Sequence, residues 1–308
     1  MRYSFLTLIL IPLIPGYADS WYKGNTHVHT TLCGHVDSTP EFVAQWYHDR
    51  GYNFLVLSEH NKFIDPSTIK LEGQVRDDFL LLPGEEVTGP VHSTAMNISR
   101  LVPWGFKDKD RSKIIQNHVD ETMKAGGVVI LNHPNFGRRL QTHEISPVKN
   151  LYMLELYNSH PGVHSFWNAH CPNLEQVWDA LLEKKMTIYG VSSDDAQMLQ
   201  KWGEKENNPG RGWVMVKSDE LSVNKDETVC ELESEFLFGR PVRKGKPGTF
   251  IEFIGPGGEI AKSIEGTSGS CEVDGDYLRA KVTHRVKNKD NSLREYYAWT
   301  QPVFTDGR

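Results

Sequence analysis

Short hydrophobic runs alternate with amphipathic, helix-like segments along residues 21–239. Continuous apolar runs are typical of parallel strands buried on both faces, and they span 54–57, 79–82, 128–131, 151–156 and 186–191. Between these runs, and after the last one, lie segments with the features of helices. The features are a capping hydroxyl followed by proline, apolar residues repeated every three to four positions, or a capping asparagine. The predicted helices span 38–51, 114–127, 173–182 and 227–238. The pattern predicts an α/β domain with a parallel sheet.

Side chains that can bind metals lie at the ends of these strands. They are His27 and His29, Glu59 and His60, Glu85 and Glu86, His133, and Asp194 and Asp195. Because the carboxyl ends of parallel strands meet at one edge, in a barrel or in an open sheet, we expect these side chains to converge. A glycine-rich phosphate fingerprint is absent from the sequence, and ligands from so many strands converge more easily in a closed barrel. Imidazoles with carboxylates suit Zn²⁺, Mn²⁺ or Fe²⁺.

The pattern changes after Gly239. Short alternating strand patterns separated by glycine-rich turns occupy 249–254, 260–264, 277–286 and 295–300. Such spacing predicts a small β-sandwich-like module. We therefore divide the chain into a leader at 1–20, a metal-dependent hydrolase domain at 21–239 and a β-rich module at 240–308.

The first 20 residues have the features of a secretory signal peptide. Arg2 precedes an apolar stretch at 5–14, and small residues precede Trp21. This order predicts export to the periplasm or the extracellular space; a buried first strand or helix is the alternative. The stretch is too short for a membrane span, and no other segment of the sequence qualifies, so we expect no span in the mature chain.

Charge and cysteine content narrow the partners further. A net charge of −6 offers no basic patch of the kind that binds nucleic acid, so we expect a small-molecule substrate. The four cysteines, at 33, 171, 230 and 271, show no CxxC spacing. An even number permits disulfides in an exported protein, but four are too few for a disulfide scaffold, and the sequence predicts no particular bridge. Cys33 lies close enough to His27 in sequence to reach a metal, but an ordinary loop cysteine is the simpler interpretation.

The ordered series of motifs resembles the polymerase and histidinol phosphatase (PHP) superfamily. The series runs HxH, a carboxylate-His pair, GxE, His-Pro and a late Ser-Asp-Asp, and it covers residues 25 to about 217. The segment Tyr-Ala-Trp-Thr-Gln-Pro at 297–302 looks like the C-terminal module of the carbaryl hydrolase-like branch. The resemblance implies a distorted (β/α)7 barrel followed by the small β-sandwich-like module. The barrel would hold two or three divalent transition metals.

The resemblance also implies roles for individual residues. His27 and His29 match ligands of the first metal, and Glu86 matches the carboxylate that bridges two metals. His92 and His133 match ligands of the second metal. Asp195 matches the late aspartate of the first site, while His35 and His60 match positions that hold a third ion. Glu85 and Asp194 are the competing registers for Glu86 and Asp195.

The late motif departs from the family pattern, because it reads Asp195-Ala196-Gln197 where Asp-x-His is usual. A glutamine amide is a poor ligand beside imidazole for zinc or iron-type ions. We therefore expect the third ion to be absent or weakly held, unless Asp37 or Cys33 completes its site.

Two metals held by these residues favour a phosphoesterase that uses a metal-bridging hydroxide on a small, anionic substrate. Glu59 and His60 could orient a ligand or shuttle a proton, and Arg211 could bind the anion. Arg138 and Arg139 are further candidates for the anion, and the histidines at 160, 164 and 170 are candidates for a substrate rim. The alternatives are hydrolysis of a carbamate, ester or amide, and a non-catalytic binding protein that retains the metals.

Overall fold

The computed structural model describes residues 5–9, 21–71, 78–137, 139–166, 173–203, 205–218, 221, 240–242, 245–305 and 307. The helices are α1 (Pro40–His48), α2 (Arg111–Lys124), α3 (Thr142–Ile145) and α4 (Leu174–Glu183). The first ten strands are β1 (Phe5–Ile9), β2 (Trp21–Val28), β3 (Phe54–Leu57), β4 (Leu80–Leu82), β5 (Gly84–Thr88), β6 (His92–Met96), β7 (Val128–Leu131), β8 (Met153–Asn158), β9 (Tyr189–Ser193) and β10 (Val214–Lys217). The others are β11 (Arg240–Val242), β12 (Gly248–Ile254), β13 (Ile260–Glu265), β14 (Ser268–Glu272), β15 (Tyr277–Lys287), β16 (Leu293–Trp299) and β17 (Val303–Phe304).

The local predictions agree with these elements. Each of the five apolar runs contains or overlaps a strand, namely β3, β4, β7, β8 and β9. Helix α1 begins as expected, because the Thr39 side chain accepts from the amide of Phe42 and Pro40 occupies the first turn. Asn173 caps α4 in the same way. The predicted helix at 227–238 lies outside the described residues.

The (β/α)7 barrel is wrong, because the described strands form separate mixed or antiparallel sheets and no closed barrel. A four-stranded sheet has the order β10-β2-β3-β4, and a five-stranded sheet has the order β5-β6-β7-β8-β9. Strands β5 and β6 pair antiparallel, as do β6 and β7. Only three residues separate β5 from β6, which leaves no room for the crossover helix that a parallel pair needs. Pro83, which cannot donate to a ladder, separates β4 from β5, where the chain leaves one sheet for the other.

The two sheets meet at the ends of their strands. Isolated bridges join Val28 to Ala196 and His60 to Glu86. Beyond β2, the amide of His29 donates to the carbonyl of Ala196 at 3.0 Å, and the amide of Asp195 donates to the carbonyl of His27 at 2.8 Å. These contacts bring the polar ends of β2, β3, β5 and β9 to one place even though the barrel is not closed.

Among the described C-terminal residues, β14 pairs with β1 in a two-stranded sheet, and the other strands form one antiparallel sheet. Its order is β11-β16-β15-β12-β13, with β17 paired to β15. One face contributes Tyr277, Tyr297 and Trp299 to the main hydrophobic core, which also contains Trp178 of α4. The guanidinium of Arg279 in β15 binds Asp179 of α4 with two hydrogen bonds of 2.8 and 2.7 Å. Helix α4 is thus a layer against the sheet, so the module depends on the preceding domain for part of its core.

Several predictions about the chain lie largely outside the described residues. The leader is described only at β1, whose backbone pairs with β14, and export stays a prediction. Cys33 and Cys271 are free thiols, while Cys171 and Cys230 fall outside the described residues. Among the helices that the structure describes, none combines the length and hydropathy needed to cross a membrane.

Candidate metal centre

Glu86 lies at the centre of the converging strand ends and is fully buried. Its Oε1 lies 3.2 Å from Nδ1 of His92, 3.1 Å from Nε2 of His133 and 3.4 Å from Nε2 of His27. Its Oε2 lies 2.7 Å from Nδ1 of His60 and 3.7 Å from Nε2 of His29. One carboxylate therefore contacts five imidazoles, with its two oxygens facing different sets. A carboxylate in such surroundings can be shared by two cations.

Asp195 is the second carboxylate of the cluster. Its Oδ1 lies 3.2 Å from Nε2 of His29 and 3.6 Å from Nε2 of His27. Asn158 donates to its Oδ2 at 3.2 Å and so fixes the side chain. Asp195 and His133 both have left-handed backbone, with φ of 48° and 23°. Non-glycine residues adopt that region at an energetic cost, and such residues concentrate at functional sites.

Ligand atoms in four overlapping groups lie within 4.8 Å of one another. The groups are His27, His29 and Glu86; Glu86, His92 and His133; His27, His133 and Asp195; and His29, Cys33 and His60. The buried histidine, glutamate and aspartate side chains are therefore placed at metal-binding distances. The first two groups share Glu86.

The two HxH imidazoles provide a test of whether a metal fits. His27 and His29 are fully buried, yet the Nε2 atoms of both have no hydrogen-bond partner among the described residues. A buried polar atom without a partner costs about 1–3 kcal/mol. Nε2 of a neutral imidazole is a common ligand atom for zinc and similar ions. A cation between these atoms and Glu86 would satisfy both, so the residues fit a metal.

The electrostatics also favour positive charge at the centre. Burial opposes protonation of His27, but the charges of Asp195, Glu155 and Glu86 outweigh it and hold the pKa of His27 well above its usual value. Burial likewise opposes ionisation of Glu86, yet His27 and the hydrogen bonds from His133 and His60 hold its pKa well below the usual range. The carboxylates thus stay charged inside the protein and attract cations.

Glu155 lies directly behind the cluster, and the sequence analysis did not name it. Its Oε1 lies 2.7 Å from Nδ1 of His27 and accepts from Ser193 at 2.5 Å. Its Oε2 accepts from the amide of His133 at 2.7 Å and from Asn158 at 3.0 Å. A carboxylate on Nδ1 holds Nε2 toward the metal and raises the basicity of the imidazole. The available signal was an acid inside the apolar run 151–156, where a charge needs partners.

Of each pair of competing acids, the structure places only one in the cluster. Successive residues of a strand point to opposite faces, so Glu85 points away from Glu86. Glu85 accepts from the amide of Val102, and burial raises its pKa to about 7. Asp194 accepts five hydrogen bonds outside the cluster; the donors are Asn25, Tyr47 and the amides of Gly210, Arg211 and Gly212. Asp194 therefore holds the 210–212 turn.

The third predicted ligand set differs in composition. His35 is exposed, with its ring 5.4 Å from that of His60 and its Nδ1 3.1 Å from the carbonyl of Cys33. Cys33, rather than His35, joins His29 and His60 at ligand distance. The thiol of Cys33 donates to the buried Glu59. Asp37 instead accepts from the amides of residues 199–201.

The remaining candidates lie around the cluster or outside the described residues. Arg211 is buried. Its guanidinium donates to the carbonyls of Gly203 and Glu206 and to the side chain of Asn208. Arg211 therefore fixes these three residues relative to one another. His160 lies beside the exposed ring of Phe136. Arg138 and His170 are outside the described residues.

Comparison with protein-family models and with curated proteins finds no match to this chain. The resemblance to the PHP superfamily therefore stays a prediction that depends on the ordered motifs alone.

Proposed function

We propose that this chain is a metal-dependent hydrolase and that phosphoesters are its first candidate substrates. The observation that supports this is the contact of one buried carboxylate, Glu86, with imidazoles of two different ligand sets. His27, His29 and Asp195 would hold one ion and His92 and His133 the other, with Glu86 between them. When bound, such ions polarise a substrate oxygen and lower the pKa of a coordinated water toward about 7.

The residues behind the ligands keep the site in shape before the reaction. Glu155 orients His27, and Asn132 donates to Oε1 of Glu86 at 3.0 Å. Nδ1 of His60 is engaged by Glu86 and by Thr88 at 2.8 Å. Its side chain is 30% exposed, so we propose that His60 carries a proton at Nε2 for the leaving group.

The neighbouring thiol is a poor candidate for a covalent mechanism. Burial, and then the charge of Glu59, raise the pKa of Cys33 far above its usual range. A thiol that stays protonated is a weak nucleophile. This supports direct attack by water over a cysteinyl intermediate.

An anionic substrate would be held by coordination to the ions themselves. Four carboxylates lie in or directly behind the cluster, namely Glu59, Glu86, Glu155 and Asp195. Two divalent cations would neutralise them. Within the described residues, the ion pairs of Glu86 and Asp195 are all with imidazoles, so a phosphate would be held by coordination to the metals.

A second candidate is hydrolysis of a carbamate or carboxyl ester. The observation that favours it concerns Arg211, the candidate for binding an anion. Its guanidinium donates to loop carbonyls instead. A neutral carbonyl substrate needs Lewis-acid polarisation but no arginine beside the metals.

The test compares p-nitrophenyl phosphate with p-nitrophenyl acetate, using protein stripped by chelation and reloaded with Mn²⁺ or Zn²⁺. We expect about two bound ions per chain by elemental analysis and metal-dependent release from the phosphate. The activity of Glu86→Gln should fall by more than about 100-fold, since changes to partners behind a metal ligand already lower metal affinity or activity by 10–100-fold. Glu85→Gln, which alters an equally buried acid outside the cluster, is the matched control. Turnover of the acetate alone would favour the second candidate. Turnover of neither ester, or a fully active Glu86→Gln protein, would refute the proposal.

A further inference from the structure

An exposed aromatic ring lies directly against the second ligand set. Phe136 follows β7 by five residues and is 43% exposed. Its ring centroid lies 5.2 Å from that of His133 and 6.0 Å from that of His92. A single exposed phenylalanine needs no explanation by itself. One that packs on the imidazoles of two candidate metal ligands lies where a bound substrate would extend.

The loop that carries Phe136 is fixed in place. The amide of Phe136 donates to the carbonyl of His133 at 2.8 Å. Asn135 is buried and donates to the carbonyl of His164 at 2.8 Å, which ties this loop to the segment 159–166. The ring therefore needs little ordering when a ligand arrives, and pre-ordered groups bind with a smaller entropic cost.

His160 forms a second wall beside Phe136. The two rings lie 6.2 Å apart at 82°. Nδ1 of His160 accepts from the amide of Gly162 at 2.9 Å, so the neutral imidazole carries its proton on Nε2. An N–H edge of this kind is the positive part of an aromatic ring and suits the negative face of another ring.

Gly162 allows the two walls to approach. A Cβ at this position would lie 3.0 Å from Cε1 of His160 and 3.6 Å from Cε2 of Phe136. A side chain at position 162 would crowd the imidazole of His160. The turn is thus shaped around these two rings.

From these contacts we infer that Phe136 and His160 form a subsite for an aromatic group of the substrate, so that the natural substrate is an aryl or arylmethyl ester. That the ligand is an ester which the protein hydrolyses rests on the proposed function. Binding of the aromatic ring requires only the metal-loaded protein. The stacking of one ring on Phe136 is worth up to about tenfold in affinity.

The test measures binding first, so that it does not depend on turnover. Phenylphosphonate and methylphosphonate carry the same charged group, and their dissociation constants for the Zn²⁺-loaded protein can be compared by calorimetry. We expect phenylphosphonate to bind about tenfold more tightly. Phe136→Ala should abolish this preference, and His160→Ala should reduce it. Phe42→Ala, which removes a 45% exposed phenylalanine on α1, should leave it unchanged.

A kinetic arm separates this inference from the proposed function. Benzyl phosphate and ethyl phosphate have leaving groups of similar acidity, so their ratio of kcat/KM reports recognition of the ring. If the phosphonates show the preference that depends on Phe136 but no ester is hydrolysed, the proposed function fails and the subsite stands. Equal affinities in the unaltered protein, binding of neither phosphonate, or a preference that survives Phe136→Ala would overturn the subsite.

Discussion

Replacing Glu155 by glutamine tests how much the cluster depends on the carboxylate behind it. Four donors converge on Glu155, from His27 Nδ1, Ser193, Asn158 and the amide of His133. A glutamine offers one acceptor oxygen and one NH₂ donor. Two of the four donors would then face an NH₂ group and lose their partner. At about 1–3 kcal/mol for each unsatisfied buried donor, the protein should lose roughly 2–6 kcal/mol of stability.

Metal affinity should fall as well. Without the carboxylate on Nδ1, the Nε2 atom of His27 is less basic and less firmly oriented. Losses of 10–100-fold are usual for such changes, which correspond to about 1.4–2.7 kcal/mol. Competition with a chromophoric chelator measures the dissociation constant for Zn²⁺ in the unaltered protein and in Glu155→Gln.

The control is Glu85→Gln, since Glu85 is also fully buried but points away from the cluster. It should change stability while the zinc affinity stays within about twofold. If Glu155→Gln is too unstable to study, Ser193→Ala removes only one of the four donors and should weaken zinc binding slightly. A Glu155→Gln protein that folds and binds zinc as tightly as the unaltered protein would show that Glu155 plays no part in metal binding.

Three further predictions concern stability. Asp179→Asn removes the closer of two carboxylates beside the buried Arg279 and leaves Glu175 at 3.6 Å. It should cost up to about 3–5 kcal/mol in urea unfolding, and the apolar pair Asp179→Leu with Arg279→Met should recover most of the loss. A loss under about 1 kcal/mol would contradict this. Burial lowers the pKa of His118 to about 4, below an unfolded value near 6.5, so its contribution is intact above pH 6.5 and decreases as the pH falls toward 4. The loss should reach about 2 kcal/mol at pH 5, and His118→Gln should remove that part of the pH dependence. Gly212→Ala places a Cβ 2.5 Å from the carbonyl oxygen of Ser193 and should cost about 1–3 kcal/mol, whereas Gly89→Ala, with nothing within 4 Å, should be neutral in thermal unfolding.

The sequence predicted the strands formed by the five apolar runs and named most cluster residues, because apolar runs followed by polar side chains are local features. Strand direction is not local: the run at 79–82 forms β4, which is parallel to β3, but after Pro83 the chain enters β5, and the short turn that follows makes β5 and β6 antiparallel. The apolar pattern by itself could not choose between adjacent acids, for a related reason. Glu85 and Glu86 differ only in which face of β5 they occupy, and the face depends on register.

Glu155, which the sequence analysis did not name, and Cys33, which it gave only as an alternative ligand, also have a physical explanation. Glu155 lies within an apolar run, where composition alone suggests a packed strand. Cys33 reaches the cluster because Thr31–Cys33 form a short 3₁₀ turn that ends in a left-handed Gly34. Sequence spacing does not determine such a turn, so His35 was the natural expectation for the third set.

The placement of Glu86 has a consequence for how the fold is held together. The side chains that surround it come from positions 27 to 195, so the cluster joins chain segments separated by 168 residues (195 − 27). A cation bound there would act as a cross-link between the four-stranded and the five-stranded sheets, and closing a loop of that length removes much of the freedom of the unfolded chain. The stability of the domain would therefore depend on the supply of metal. The same ions that would activate the substrate would also keep the two sheets from separating.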